Sequence, residues 1–316
     1  MRRVKVSRPA GSSTAFAAGL AGMRTSPVVI VLGVDTLCWH LLLERRELTV
    51  EQVFEQAAQL GCASVQLNLH HVRERPAAEI PRLRERAGGL GLRLLASGDF
   101  LGQARNGDEP AVGVGRVERW LEQSVALGSP VLRVASGFYR ADLMAAPELI
   151  ERERRYVITV LELSLPRATG AGVRLLLENH SDFTVAEYRS IVLELGREKV
   201  GVFLDLINPI AALEDPLPVV EELAHFAAAG HVKDYLFRSI QTDDAYHRRG
   251  FQVLYRYPGE GVAPLAALIA ALRRGVADRD FSLSIEGLDN HAGVHDQVER
   301  LRPSLALLRT LLGEAA

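Results

Sequence analysis

The stretch Leu175-Leu176-Leu177-Glu178-Asn179-His180 is followed along the chain by Gly201-Val202-Phe203-Leu204-Asp205, His231-Val232-Lys233-Asp234 and Leu283-Ser284-Ile285-Glu286-Gly287. Each contains a short apolar run beside an ionisable residue. Runs that are apolar on both faces are what parallel strands covered by helices require. Working outward, such runs recur at 28–35, 64–69, 92–97, 131–135, 173–178, 200–205, 228–233 and 281–286. Segments at helical spacing lie between and after them, predicting helices over 50–60, 78–87, 117–127, 147–167, 185–194, 217–225, 263–273 and 294–312. Gly61, Gly88, Gly128 and Gly170 stand where left-handed helix C-caps are expected. About eight β–α units without a boundary linker predict an α/β fold, a (β/α)8 barrel forming a single domain over residues 27–316. A doubly wound sheet would want a glycine fingerprint after the first strand, and Gly33-Val34-Asp35-Thr36 offers none.

Composition narrows the function classes. The 316 residues are 48% hydrophobic and 24% charged, enough for a large core. Lys and Arg number 37 against 39 Asp and Glu, and the net charge of −2 argues against a protein that coats nucleic acid or an anionic membrane. Mean hydropathy is +0.06, yet no apolar stretch approaches the ~20 residues of a membrane span. The two cysteines, Cys38 and Cys62, are too few for a disulfide framework and fit a reducing, cytoplasmic setting. Residues 1–26 carry Arg2, Arg3, Lys5 and Arg8 before an Ala/Gly-rich run, and read as a disordered leader outside the fold, with Met23 an alternative start. The stretch 234–262 shows no clear period and reads as a long loop over the barrel mouth.

Barrel chemistry sits at the C-terminal ends of the strands. Four consecutive strands there present Glu178, Asp205, His231 and Glu286. Taken singly, a carboxylate at a strand end commonly caps the next helix, and a lone His is commonly a core residue. Three buried carboxylates side by side are strongly unfavourable unless a cation neutralises them. Three oxygen donors and one imidazole suit one divalent ion: Mn2+ first, with Mg2+, Co2+ or Zn2+ as alternatives. His180, two residues beyond Glu178, is a candidate acid/base or a hydrogen-bond partner. Lys233 shares a strand face with His231, and either neutralises developing charge or pairs with a neighbouring carboxylate. Arg238, His247, Arg249 and Arg256 in the long loop are candidates for an anionic substrate group. His40, His70, His71 and Asp99 follow the first three strands and are weaker pocket candidates. Trp39 and Phe100 read equally as pocket wall or core, Cys38 as a small buried hydrophobe, and Arg133 as paired inside the barrel.

With Leu177-Glu178-Asn179-His180, Gly201-Val202-Phe203-Leu204-Asp205, His231-Val232-Lys233-Asp234, Pro258-Gly259-Glu260-Gly261 and Ile285-Glu286-Gly287 in order, residues 28–312 resemble the xylose isomerase-like sugar isomerase/epimerase superfamily. The resemblance implies a TIM barrel with its metal held by Glu178, Asp205, His231 and Glu286. Many ketose epimerases of that superfamily have a His three residues after the second ligand, where this chain has Asn208. They also carry a substrate-binding Glu shortly after the first ligand, where Thr184 and Val185 stand. The pattern is closer to a branch that acts on oxidised sugars and sugar acids.

A metal bound to a carbonyl and an adjacent hydroxyl acidifies the C–H between them by stabilising an enediolate. Glu178 and Glu286, flanking the substrate, would exchange protons, with His180 as an extra acid/base. Asn208, Lys233, Arg238, Arg256 and His70 would contact the substrate. The expected activity is a metal-dependent isomerase or epimerase of a small carbohydrate or sugar acid. The alternative is a lyase on an oxidised sugar: a 3-oxo sugar acid decarboxylase, a dehydratase or a carbon-glycoside-cleaving subunit. Neither nucleic acid nor membrane is an expected partner; a homo-oligomer or a partner subunit is compatible with the apolar helices.

Overall fold

The structure, a computed structural model, describes residues 29–241, 250–277, 279–287 and 296–313. The leader 1–26, His247, Arg249 and the expected helix start at 294 lie outside the described residues. Among the described residues, ten strands run in chain order: β1 Ile30–Asp35, β2 Ser64–Asn68, β3 Arg93–Phe100, β4 Val131–Ala135, β5 Arg174–Glu178, β6 Val200–Asp205, β7 Ala227–Val232, β8 Asp234–Ile240, β9 Gly250–Arg256 and β10 Phe281–Ile285. Eight of them close a parallel barrel in the order β1-β10-β7-β6-β5-β4-β3-β2. The helices between them cover its outside, so the (β/α)8 expectation holds.

Strand periodicity decides what points inward. On β5, Leu175 and Leu177 join the large core shared with the helices, whereas Leu176 packs with Leu95, Phe203 and Ala229 in a small plug inside the barrel. The next inward position on β5, two residues beyond Leu176, is Glu178. The same count carries Phe203 to Asp205 and Ala229 to His231. Asp205 and His231 stand directly opposite each other in the β6–β7 register. On β1, Ile30, Leu32 and Val34 face the helices, which leaves Asp35 on the inner face. An apolar floor therefore carries a ring of ionisable side chains at the mouth.

Three expectations are corrected. Gly61 and Gly128 take the left-handed conformation, each with φ of 69°, but the other two left-handed turns fall on Gly91 and Gly172. Gly88 and Gly170 stay inside helices Ile80–Gly89 and Pro147–Gly170, each of which runs to a residue with a second glycine just behind it. The stretch expected as a long loop over 234–262 contains an antiparallel hairpin, β8 with β9. Its strands lie on the barrel mouth and are held by long-range ring contacts, including Phe237 on Phe251 at 4.8 Å. The helix expected at 117–127 begins earlier, at Pro110, because Gly113 and Gly115 hide its period. Among the described residues, no helix is long and apolar enough to cross a membrane.

Backbones approach closely just before the functional residues. A Cβ at Gly230 would lie 2.1 Å from the Leu204 carbonyl oxygen, between the ends of β6 and β7. Gly230→Ala is therefore expected to cost about 1–3 kcal/mol or more in denaturant unfolding. Gly89→Ala, where an added Cβ meets nothing within 4 Å, is expected to be neutral or to gain up to about 1 kcal/mol.

Candidate metal centre at the barrel mouth

The imidazole of His231 is the hub of the mouth. Its Nε2 lies 3.2 Å from Asp35 Oδ2. Its Nδ1 lies 3.2 Å from Glu178 Oε1, 3.4 Å from Glu286 Oε1 and 3.6 Å from Asp205 Oδ2. Asp35, Glu178, Asp205 and His231 are fully buried. Two cations enter from the sides. The Arg133 guanidinium donates to Glu178 Oε2 and, at 2.8 Å, to the Gly98 carbonyl. The Lys233 ammonium donates to Asp205 Oδ2 at 2.7 Å and to Glu286 Oε2. Lys233 also lies 4.9 Å from the centre of the Tyr255 ring.

The neighbours hold these groups in aim. The Asn179 amide bridges to β6, donating to the Asp205 carbonyl at 2.8 Å and accepting from the Asp205 N–H at 2.7 Å. Asp205 Oδ1 accepts from the backbone N–H groups of Ile207 and Asn208 at 2.8 and 2.7 Å. Asp234, directly after Lys233, accepts from the N–H groups of Gly259, Gly261 and Ala263 at 3.1, 3.0 and 2.9 Å. That carboxylate ties the Pro258-Gly259-Glu260-Gly261 turn to the end of β7, and its part is structural.

Ionisation follows from this packing. Burial alone would raise the Glu178 carboxyl, but the Arg133 charge and the His231 hydrogen bond hold it well below the usual range. Asp205 is likewise lowered, since Lys233 outweighs the burial penalty together with His231. At Asp35 burial dominates and raises the carboxyl despite its bond to His231. Burial would lower His231, yet the Glu286 charge and hydrogen bonds to Asp205, Asp35 and Glu178 push it well above an ordinary imidazole.

The donor set fits a divalent cation. Four carboxylates face two fixed cations, leaving two negative charges that a divalent ion cancels with His231 neutral. Glu178, Asp205 and His231 form one group whose ligand atoms could share an ion, and Asp35, His231 and Glu286 form another. Ligand atoms around one such ion stand about 3.0–3.4 Å apart at ordinary bond lengths of ~2.1 Å. The spacings of 3.2–3.6 Å from His231 Nδ1 are close to that.

A cavity of about 490 Å3 opens above this centre, and His180, Asn208, Lys233, Arg256 and Glu286 line it. Other sequence candidates fall elsewhere. Arg238 is exposed on β8 and pairs with Gln252 at 2.5 Å. His70 and Asp99 line a separate cleft, and His70 pairs with Glu44 at 3.2 Å. Trp39 is core, its indole N–H donating to Gln56 at 2.6 Å, and Cys38 is buried. Arg133 is paired inside the barrel, as expected. Sequence reasoning missed Asp35, although it ends its strand as the others do. It also missed the cavity residues Tyr139, Tyr255 and Arg300. Nothing in their local sequence marks Tyr255 or Arg300 as lining a site.

Comparison with known proteins agrees with the geometry. The chain belongs to the xylose isomerase-like TIM barrel family, whose model matches residues 54–311. No curated protein sequence matches it. Among solved structures it is similar to a D-psicose 3-epimerase studied with D-fructose, at 19% identity and TM-score 0.66, over 90% of this chain and 100% of that one. It is similar to 3-keto-D-glucoside 4-epimerase YcjR from E. coli, at 18% identity and TM-score 0.64, over 89% and 100% of the two chains. It is also similar to the IOLI protein with a bound zinc atom, at 15% identity and TM-score 0.64, over 90% and 96%. At these identities the likeness establishes the fold.

Lys233→Met leaves Asp205 and Glu286 facing each other without their cation. In chelator, the variant is expected to lose about 3–5 kcal/mol of unfolding free energy. Arg274→Met, which breaks an exposed pair with Glu221, should change it by less than about 1 kcal/mol.

Proposed function

We propose that this protein is a divalent-metal-dependent enzyme that moves a proton next to a carbonyl in a small carbohydrate or sugar acid, as an isomerase or epimerase. The observation that carries the reading is the convergence of Glu178, Asp205 and Glu286 on His231 Nδ1, where four carboxylates face only two fixed cations, Arg133 and Lys233. In this proposal Glu178, Asp205, His231 and Glu286 hold the ion, Mn2+ first among the candidates. When bound, the ion would draw electron density from a substrate carbonyl oxygen and acidify the neighbouring C–H.

The chain's own groups do the rest. Glu286 is the ligand that faces the cavity, with a side chain 15% exposed, and it is the base that takes the proton. Glu178 is fully enclosed, with one oxygen on Arg133 and the other beside His231 and Asn208. That enclosure suits holding more than proton exchange. His180 lines the cavity from the end of β5, with β6 and β7 standing between it and Glu286 at the end of β10. Its Nδ1 has no hydrogen-bond partner, which suits the group that returns a proton on the other side. Lys233 pairs with both Asp205 and Glu286 and lies near any charge that develops on substrate oxygen. Arg256 and Arg300 at the wall favour an acidic or otherwise anionic sugar. The names of the epimerase neighbours support the substrate class. The two buried free thiols accord with a reducing cytoplasm.

The test is solvent exchange. Protein reconstituted with Mn2+ is incubated in D2O with ketoses and 3-oxo sugar acids, and the sugars are read by mass spectrometry. One deuterium should enter next to the carbonyl of an accepted sugar, and Glu286→Gln should slow its entry by about 100-fold or more. Metal-loaded protein that exchanges none of them, or a Glu286→Gln variant that exchanges at the wild-type rate, contradicts the reading.

A further inference from the structure

A second group of metal-type ligands stands on the same rim, outside the centre described above. His40 and Glu44 follow β1; His70 and His71 follow β2. His40 Nδ1 faces His71 Nε2 at 3.0 Å. His70 Nε2 lies 3.2 Å from Glu44 Oε1. Ligand atoms of His40, Glu44 and His71 all lie within 4.8 Å of one another. The three imidazole rings have centroid separations of 5.3, 6.0 and 6.1 Å.

Three imidazoles and one carboxylate are thus gathered in one cluster. The His71 ring is fixed by contacts at both of its nitrogens. One nitrogen of that ring has a fixed partner: Nδ1 lies 2.9 Å from Thr36 Oγ1, which also accepts the Asn68 N–H at 3.0 Å. With Nδ1–H donating to the hydroxyl, the lone pair of Nε2 points at His40. A hydrogen bond on the far nitrogen is the arrangement that orients metal-binding histidines. Glu44 is braced as well, by both arms of the Arg73 guanidinium at 2.9 and 3.1 Å. The His40–His71 spacing of 3.0 Å is close to the ~3.3 Å edge of a tetrahedron built on Zn–N bonds of ~2.05 Å.

We propose that His40, Glu44 and His71, with His70 beside them, form a second cation site that takes Zn2+ and pins the loops after β1 and β2 together. Imidazole-rich ligation selects zinc, whereas the carboxylate-rich centre around His231 suits Mn2+ or Mg2+. Thr36 and Asp35 are successive residues, so the two sites are joined by one peptide bond: Thr36 contacts His71, and Asp35 contacts His231. The site does not depend on the proposed reaction.

The experiment is zinc counting by elemental analysis after stripping with chelator and reloading with zinc, on the wild type, His40→Gln/His71→Gln and His231→Ala. About two ions per chain are expected in the wild type and about one in each variant, with zinc affinity at the rim falling at least about 100-fold in the first variant. A single wild-type ion that is lost only in the rim variant upholds this site and sinks the centre at His231. Zinc content unchanged by the rim substitutions overturns the proposal. If the double variant misfolds, Co2+ loading decides with intact protein and His71→Gln alone. An intense visible band of tetrahedral Co2+ that His71→Gln abolishes supports the site, and its absence from the intact protein overturns it.

Discussion

Everything at the barrel mouth depends on balancing buried negative charge. Asp35, Glu178 and Asp205 have no access to water, and Glu286 has little. Ions in such surroundings are tolerated only when cations and hydrogen bonds replace solvent. Arg133 and Lys233 provide part of that replacement from opposite sides, and His231 stands among all four carboxylates. In the proposed function a divalent cation completes it. The same balance explains why the apolar plug of Leu95, Leu176, Phe203 and Ala229 sits directly beneath: it closes the barrel to water from below and leaves one open side.

That open side is shaped by the hairpin β8–β9. Asp234 fixes its base by gathering the N–H groups of Gly259, Gly261 and Ala263. Tyr255 and Arg256 on β9 then become cavity wall, with Tyr255 over the Lys233 ammonium. The motif His231-Val232-Lys233-Asp234 thus serves three purposes in four residues. His231 faces the centre, Lys233 bridges two carboxylates, and Asp234 anchors the wall.

Much of this was legible because period-two alternation converts a linear pattern into a direction. Knowing that Leu176 faces the plug is enough to place Glu178, and the same holds from Phe203 to Asp205. Asp35 obeyed the rule and was still overlooked, since a strand-end Asp before a helical turn also reads as a cap. It is both: its Oδ1 accepts the Leu37 N–H at 2.7 Å, while Oδ2 faces His231. The hairpin was illegible because its pairing rests on contacts such as Phe237 with Phe251, whose partners are set by tertiary structure. Arg300 was illegible as a site residue for the same reason, and so was the pairing of His40 with His71, although both histidines were pocket candidates. Neither sequence neighbourhood contains the residues they meet.

Anomalous diffraction from crystals soaked in Mn2+ tests the central claim most directly. The account predicts one strong manganese peak at the mouth, ligated by Glu178, Asp205, His231 and Glu286. Saturating manganese with no peak there, and with His231 still hydrogen-bonded among the carboxylates, would contradict it.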